Sequence, residues 1–197
     1  WRSPETTLDR VVAYNNTVRT GAIFDLSKAN GGDTFVINSL IMNNKITAGS
    51  DINHAVFVLS DWYENLTFVN SEVINNWVYG TADSVNANRN NNGIFAAGIN
   101  LRYAGESGGN MYTGLNILNS VIAGNNTSIN GTVTNRDLFI PIADQWGYNN
   151  TSQNRWERIN IAYSVVGGIY KNPNYALGTA GISVPNYYKT TTSAAYS

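Results

Sequence analysis

The sequence has no cysteine and a single histidine, and both shortages restrict the chemistry open to it. Without cysteine, the chain forms no disulfide and offers no thiolate to a substrate or a metal. His54 would need carboxylate partners to bind a metal, and a positioned serine and acid to act in a catalytic triad. Because His54 only opens a short apolar segment, we interpret it as a structural residue. We expect no catalytic residue, no metal and no other cofactor.

Charged residues are scarce as well. They make up 13% of the chain, about half the share of typical globular proteins. The net charge of −1 leaves no basic surface for nucleic acid. No apolar run approaches the roughly 18 residues that a membrane-spanning helix requires. We therefore expect neither a nucleic-acid partner nor a membrane span.

Asparagine is instead the most frequent residue, with 31 copies among 197 residues. Asn, Gly, Ser, Thr and Tyr together make a poor helix-forming composition, while a hydrophobic fraction of 43% is too high for a disordered chain. The composition therefore favours an all-β fold. The chain begins at Trp1 rather than Met, and we interpret it as a processed chain or a piece of a longer one.

Two short apolar strings alternate along the chain. The first recurs as "VINSLIMNN" (36–44), "FVNSEVINN" (68–76), "ILNSVIAGN" (117–125) and, in weaker form, "IAYSVVGG" (161–168). The second recurs as "GAIF" (21–24), "HAVF" (54–57), "NGIF" (92–95), "DLFI" (137–140) and "GGIY" (167–170). Repeats separated by variable polar segments predict a solenoid, in which each repeat buries its apolar side by stacking on its neighbours.

The repeat alignment makes two structural predictions. Phe24, Phe57, Phe95 and Phe139 should stack inside the coil. Most asparagines of the first string should lie at corners, because Asn tolerates left-handed backbone. In a parallel stack the same residue returns about every 4.8 Å, so that Asn over Asn can form a ladder of side-chain amides.

The Asn-Ser and Gly-Gly-Ile-Tyr rungs resemble those of right-handed parallel β-helices found in surface proteins such as adhesins and polymorphic outer-membrane proteins. The resemblance covers residues 21–44, 54–76, 92–125 and 159–170. It implies a single-stranded right-handed solenoid with long loop insertions. We expect an N-terminal entry segment at 1–10, the β-helix at 11–170 and a C-terminal tail at 171–197. An antiparallel β-sandwich or jelly roll is the alternative, because short strands separated by turn signals fit it too.

An enzyme related to pectate-lyase-like β-helices is an alternative function. Asp51, Asp61 and Glu64 cluster around one rung, as calcium ligands do in those enzymes. However, a calcium site needs six to eight oxygen ligands, and no basic residue recurs beside these acids. The sequence shows no carboxylate pair of the kind that glycosidases use. We therefore predict that the chain is not an enzyme.

Aromatic side chains beside polar runs are a second candidate feature, because such rings can stack on sugars or enter protein interfaces. They are Trp62, Tyr63, Trp77, Tyr79, Tyr103, Tyr112, Trp146, Tyr148 and Trp156. Asn-x-Ser/Thr sequons mark candidate glycosylation sites. These are Asn15, Asn65, Asn125, Asn126, Asn130, Asn149 and Asn150. We place residues 125–130 and 149–150 in loops, where glycans are tolerated.

The C-terminal tail is a candidate for assembly. Ile182, Val184, Tyr187 and Tyr188 alternate as in a strand that can join a sheet edge, either that of a neighbouring chain or that of the tail's own chain.

Taken together, these features favour a non-catalytic structural or adhesive module, extracellular or at the cell surface. It could be the subunit of a pilus-like filament or a surface passenger domain. Its expected partners are further copies of itself or host and matrix glycans. A polysaccharide lyase or glycosidase, or a glycan-binding module, is the alternative.

Overall fold

The computed structural model describes residues 5–19, 21–26, 33–47, 55–59, 65–80, 97–101, 114–140, 159–171 and 187–189. Within these ranges all regular structure is β-strand, and the strands β1–β21 form four sheets. The prediction of an all-β chain is confirmed for the described residues. None of them forms a helix long and apolar enough to cross a membrane.

The strands belong to four sheets, here labelled A to D. Sheet A contains β1 (Thr6–Asp9), β5 (Thr34–Ile37), β9 (Asn65–Val69), β13 (Gly114–Leu118) and β18 (Ile159–Ala162). Sheet B contains β2 (Val12–Tyr14), β6 (Leu40–Met42), β10 (Glu72–Ile74), β14 (Val121–Ala123), β19 (Ser164–Val166) and β21 (Tyr187–Lys189). Sheet C contains β3 (Thr17–Val18), β7 (Lys45–Thr47), β11 (Trp77–Gly80), β15 (Asn126–Ile129) and β16 (Thr132–Asn135). Sheet D contains β4 (Ala22–Asp25), β8 (Ala55–Leu59), β12 (Ile99–Leu101), β17 (Leu138–Ile140) and β20 (Ile169–Lys171).

In four circuits the chain visits sheets A, B, C and D in turn, and we call each circuit a rung; the last rung passes from β19 in sheet B to β20 in sheet D. Strands of successive rungs pair in parallel, as β5 does with β9. Only the hairpin of β15 and β16 is antiparallel among the described pairs. This arrangement is consistent with a parallel β-helix. An antiparallel sandwich is therefore wrong for these residues.

The coil extends beyond its predicted boundaries at both ends. Strand β1 lies within the predicted entry segment at 1–10 and pairs with β5, so the first described strand of the stack begins at residue 6. At the other end, β21 lies in the predicted tail and adds to β19 of the same chain.

The structure confirms the repeat alignment for the first string and corrects it for the second. Strands β6, β10 and β14 pair in the predicted register, and Phe24 aligns with Phe57. The next register position is taken by Ile99 rather than Phe95, which lies outside the described residues.

Leu138, not Phe139, follows Ile99 in that register. The prediction for Phe139 was therefore wrong by one residue. A core position in this sheet requires only an apolar side chain, so the aromatic rings could not fix the alignment.

The interior is apolar and closely packed at the middle rungs. Phe57 is fully buried, its ring stacks on Phe24 with centroids 4.7 Å apart, and it meets the ring of Phe68 edge-on at 5.1 Å. At the middle rungs of sheets A, B and C, alternate residues of a strand face inward, as Val36, Ile41 and Ile46 do on successive strands of one rung.

Single left-handed residues form the corners between sheets. At the corner from sheet A to sheet B, the positive-φ residues of successive rungs are Arg10, Asn38, Asn70, Asn119 and Tyr163. At the corner from sheet B to sheet C they are Asn15, Asn43, Asn75 and Gly124. The prediction that asparagines occupy corners is thus confirmed. The physical reason is that Asn adopts this conformation at a lower cost than other residues with a β-carbon.

A second set of asparagines, which follows the corner from sheet B to sheet C, points inward and forms a buried ladder. Asn16 Nδ2 donates to Asn44 Oδ1 at 2.9 Å, and Asn44 Nδ2 donates to Asn76 Oδ1 at 2.9 Å. Asn76 Nδ2 continues to Asn125 Oδ1 at 2.8 Å. Each Oδ1 of Asn44, Asn76 and Asn125 also accepts the backbone N–H of the preceding ladder residue. The ladder therefore satisfies main-chain as well as side-chain groups inside the coil.

Two further ladders run along the corner between sheets A and B. The outward asparagines are linked from Asn119 to Asn70 at 2.7 Å and from Asn70 to Asn38 at 3.3 Å. Inside the same corner, the serine hydroxyls accept backbone N–H groups of the preceding rung, as Ser71 Oγ does from Ser39 N at 3.1 Å. Each Asn-Ser pair thus places one residue in an exposed ladder and the next in a buried one.

Replacing Phe57 with Ala should destabilise the fold by about 3–5 kcal/mol, because the change leaves a cavity between Phe24 and Phe68. Urea denaturation measures this free energy. The matched control is Phe35→Ala, at a half-buried position on the outer side of sheet A, which should cost clearly less. Equal costs for the two variants would contradict the interior position of Phe57.

Replacing Asn76 with Ala should cost about 3–4 kcal/mol, because the N–H groups of Asn44 and the carbonyl of Ile41 lose their buried partner. Asn70→Gly removes a side chain from the exposed ladder but keeps a residue that tolerates φ of 50°, and should cost less than about 1 kcal/mol. If chemical denaturation gave the two variants the same stability, the buried ladder would not have the role assigned to it.

Candidate functional site

The buried asparagine ladder ends at an aspartate, Asp137. Asp137 Oδ1 accepts both the backbone N–H and the Nδ2 of Asn125 at 2.7 Å, and its Oδ2 accepts the N–H of Gly168 at 2.6 Å. The β15–β16 hairpin reverses the chain and brings Asp137 over Asn125, only twelve residues later. A carboxylate has no amide hydrogens to pass on, so the ladder stops there.

Asp137 is fully buried. Two glycines are packed against this end of the ladder. A side chain on Gly167 would collide with Asp137 Oδ2, and one on Gly168 would collide with the carbonyl of Asn135. The Gly-Gly pair of the repeat is therefore required by close packing around the carboxylate.

Burial raises the pKa of Asp137 to about 6, although the hydrogen bonds from Asn125, Gly168 and Asn135 oppose the shift. The cause is that a charged carboxylate loses its hydration inside the coil. Asp137 is enclosed by its own ladder. We therefore assign the carboxylate to the scaffold and look for a recognition site on the outer faces.

The outer face of sheet C carries a cluster that we call the aromatic patch, formed by Trp77, Tyr79 and Lys45. Trp77 and Tyr79 flank the buried Val78 on β11, so their side chains point outward together. Their rings stack with centroids 5.7 Å apart and planes inclined by 19°. Lys45 Nζ lies 4.8 Å from the centre of the Tyr79 ring, within the range of a cation–π interaction.

Polar residues of neighbouring strands border the patch. Thr47 lies in register with Tyr79 on one side and Ser128 lies in register on the other. Asn126 lies in register with Trp77. Both aromatic rings are half-buried, while Lys45 is exposed. The face therefore combines apolar rings with hydrogen-bonding groups and a positive charge.

Of the nine aromatic residues considered from the sequence, the structure describes Trp77 and Tyr79 and brings them together. The other seven lie outside the described residues, as do His54, Asp51, Asp61 and Glu64. Within the described residues, no group of three or more His, Cys, Asp or Glu side chains could hold a metal ion.

The candidate glycosylation sites fall into different environments. Asn15 and Asn130 are exposed, and Asn130 lies in the turn between β15 and β16. Asn65 is half-buried and its Nδ2 donates to Asp33 Oδ1 at 2.8 Å. Asn126 is half-buried in β15, with its Nδ2 bound to the carbonyl of Gly124 at 2.7 Å.

The candidate at Asn125 is wrong for the folded chain. Asn125 is fully buried, and the nitrogen that would carry a glycan donates to Val73 and Asp137. The loop expected at 125–130 is instead mostly strand β15. Asn149 and Asn150 lie outside the described residues, and glycosylation at the remaining sites stays a prediction.

The assembly candidates are partly described. Tyr187 and Tyr188 belong to β21 and align with Ser164 and Val165 of β19. In this chain the tail thus extends its own sheet, which was one of the two predicted outcomes. Ile182 and Val184 lie outside the described residues.

Comparison with family models, with curated proteins and with solved structures gave no match to this chain. Its function must therefore be inferred from its own residues.

The titration of Asp137 should be visible in the stability of the protein. The pKa of Asp137 is raised in the folded state, from 3.8 to about 6. Protonation of this carboxylate therefore stabilises the folded state. This contribution is fully present below the unfolded pKa and is lost as the pH rises through the folded one. The free energy of unfolding should therefore fall by roughly 2–3 kcal/mol between about pH 4 and pH 7.

Asp137→Asn should remove most of this fall, because the amide keeps the Oδ1 acceptor for Asn125 and carries no charge. Asp9→Asn is the matched control, since Asp9 accepts the last side-chain amide of the exposed asparagine ladder. Denaturant titrations at several pH values measure the slope. A slope that persists in Asp137→Asn would contradict the assignment.

Proposed function

We propose that this chain is a non-catalytic structural or adhesive module that acts outside the cell or at its surface, built as a right-handed parallel β-helix. The right-handed sense is supported by the strong preference of parallel strand connections for that hand. The single observation that carries the proposed function is the continuity of the three ladders. They link successive rungs by side chains as well as by backbone.

A ladder of this kind prevents one rung of the coil from shifting relative to the next. Each buried asparagine both accepts from the preceding rung and donates to the following one, so that a shift of any rung would leave several buried polar groups without partners. The resulting scaffold holds its outer faces at fixed spacing. Fixed spacing is what a structural rod or an adhesive surface requires.

Composition supports an extracellular or surface location. The chain is poor in charge and rich in Asn and aromatic residues, like the surface β-helices that its rungs resemble. Its expected partners are further copies of itself, or host and matrix glycans. A glycan-binding module is the second candidate function, and the aromatic patch on sheet C is the observation that favours it.

We expect beads coated with the chain to be retained under flow on surfaces carrying matrix glycans or the chain itself. Beads carrying Asn76→Ala at the same density should be retained less, because the scaffold is weakened. Retention no greater than that of uncoated beads on all of these surfaces would contradict the proposal.

The same preparation should release no reducing ends from acidic polysaccharides. Release that is lost in Asp51→Asn, Asp61→Asn or Glu64→Gln would show that the chain is an enzyme instead.

A further inference from the structure

We propose that the aromatic patch binds an acidic saccharide, with a sugar ring stacked on Trp77 and its carboxylate or sulfate group held at Lys45. This assignment rests on the adhesive function proposed above and names the ligand class. The observation behind it is the pair of aromatic side chains on the outer face of sheet C, where polar side chains are expected. Two large rings lie side by side, and the residues in register with them on β7 and β15 are polar or charged.

The rings are fixed in place before any ligand arrives. Trp77 and Tyr79 stack on each other, and the backbone of β11 is paired with strands on both sides. Rings that are already ordered lose little conformational entropy when a ligand binds. A pyranose ring presents a flat array of C–H groups, which packs against the negatively polarised face of an aromatic ring.

The positive charge at the patch selects an acidic sugar. The Tyr79 ring holds the ammonium of Lys45 near the aromatic pair, at 4.8 Å from its centroid. Arg19, also exposed, follows β3 on the adjoining rung. The ion pair seen among the described residues joins Arg10 to Asp9, at another corner of the coil. Neither Lys45 nor Arg19 is neutralised by a described carboxylate.

The opposite border of the patch suits sugar hydroxyls. Asn126 and Ser128 stand one strand away from Trp77 and Tyr79, at the spacing of about 4.8 Å between neighbouring strands. Asn126 Nδ2 donates one of its hydrogens to the carbonyl of Gly124, and Asn126 Oδ1 can accept a hydrogen bond from a ligand hydroxyl. Ser128 can donate or accept.

The size of the patch favours a saccharide over a protein. A stable protein interface buries about 1,200–2,000 Å² in total, whereas the patch consists of two half-buried rings and one lysine. A saccharide of two or three units matches a surface of this extent.

Calorimetry on the full chain tests the assignment, with trigalacturonate and a sulfated chondroitin disaccharide as acidic probes and a neutral galactose trisaccharide for comparison. We expect at least one acidic probe to bind about tenfold more tightly than the neutral one. Trp77→Thr should raise the dissociation constant of that probe by about tenfold or more. Lys45→Gln should remove the preference for the acidic probe and weaken the dependence on salt.

Phe35→Thr is the matched control, because it removes an outward, half-buried aromatic ring from sheet A and should leave binding unchanged. Thermal melting of each variant confirms that it is folded. The proposal is overturned if neither acidic probe binds at millimolar concentration, or if Trp77→Thr binds as the unmodified chain does. It is also overturned if only Lys45→Gln affects binding, since that result indicates a general attraction of polyanions.

The outcomes separate this inference from the proposed function. Coated beads that adhere while both acidic probes fail to bind would refute the ligand assignment and leave the adhesive function standing. Acidic saccharides that bind through Trp77, on a chain whose beads are not retained, would refute adhesion and uphold the binding site.

Discussion

The buried ladder of asparagine amides sets the register on which the rest of the coil depends. An amide at the corner between sheets B and C must accept two N–H groups from one rung and donate to the next, as Asn76 does between Asn44 and Asn125. No apolar residue can replace it without leaving those groups unsatisfied inside the protein. Sheet positions, in contrast, require only that alternate side chains be apolar.

The ladders also have a direction, and the two asparagine ladders run in opposite senses. In the buried ladder the amide hydrogens point toward later rungs and end at Asp137. In the exposed ladder they point toward earlier rungs and end at Asp9, which accepts from Asn38 Nδ2 at 3.2 Å. Each ladder thus terminates at a group that can only accept when it is ionised. An aspartate at the acceptor end satisfies the last amide of its ladder.

These chemical requirements determine which parts of the fold can be predicted from the sequence. The Asn-Ser string could be aligned because each of its polar residues has a hydrogen-bond partner of the same residue type in the next rung. The same residue types therefore recur in the sequence of each repeat. The phenylalanine string could not, because Phe57, Ile99 and Leu138 serve equally well as core residues in the register of sheet D. Asp137 was missed for a related reason. A hairpin brings Asp137 to the ladder only twelve residues after Asn125. A repeat of some thirty to fifty residues predicts the next ladder residue much further along the chain.

The outward positions of sheet C carry no such ladder among the described residues, and recognition can evolve there. At the outer position of sheet C next to the buried ladder, successive rungs carry Lys45, Trp77 and Asn126 in strict register. No hydrogen-bond ladder constrains the identity of these residues, although the backbone holds them one strand spacing apart. The sequence alone could name Trp77 and Tyr79 as candidates but could not bring Lys45 to the Tyr79 ring, since this requires the register between strands thirty-two residues apart. That register is set by Asn44 and Asn76, which directly precede Lys45 and Trp77, so the scaffold's ladder also positions the surface to which we assign binding.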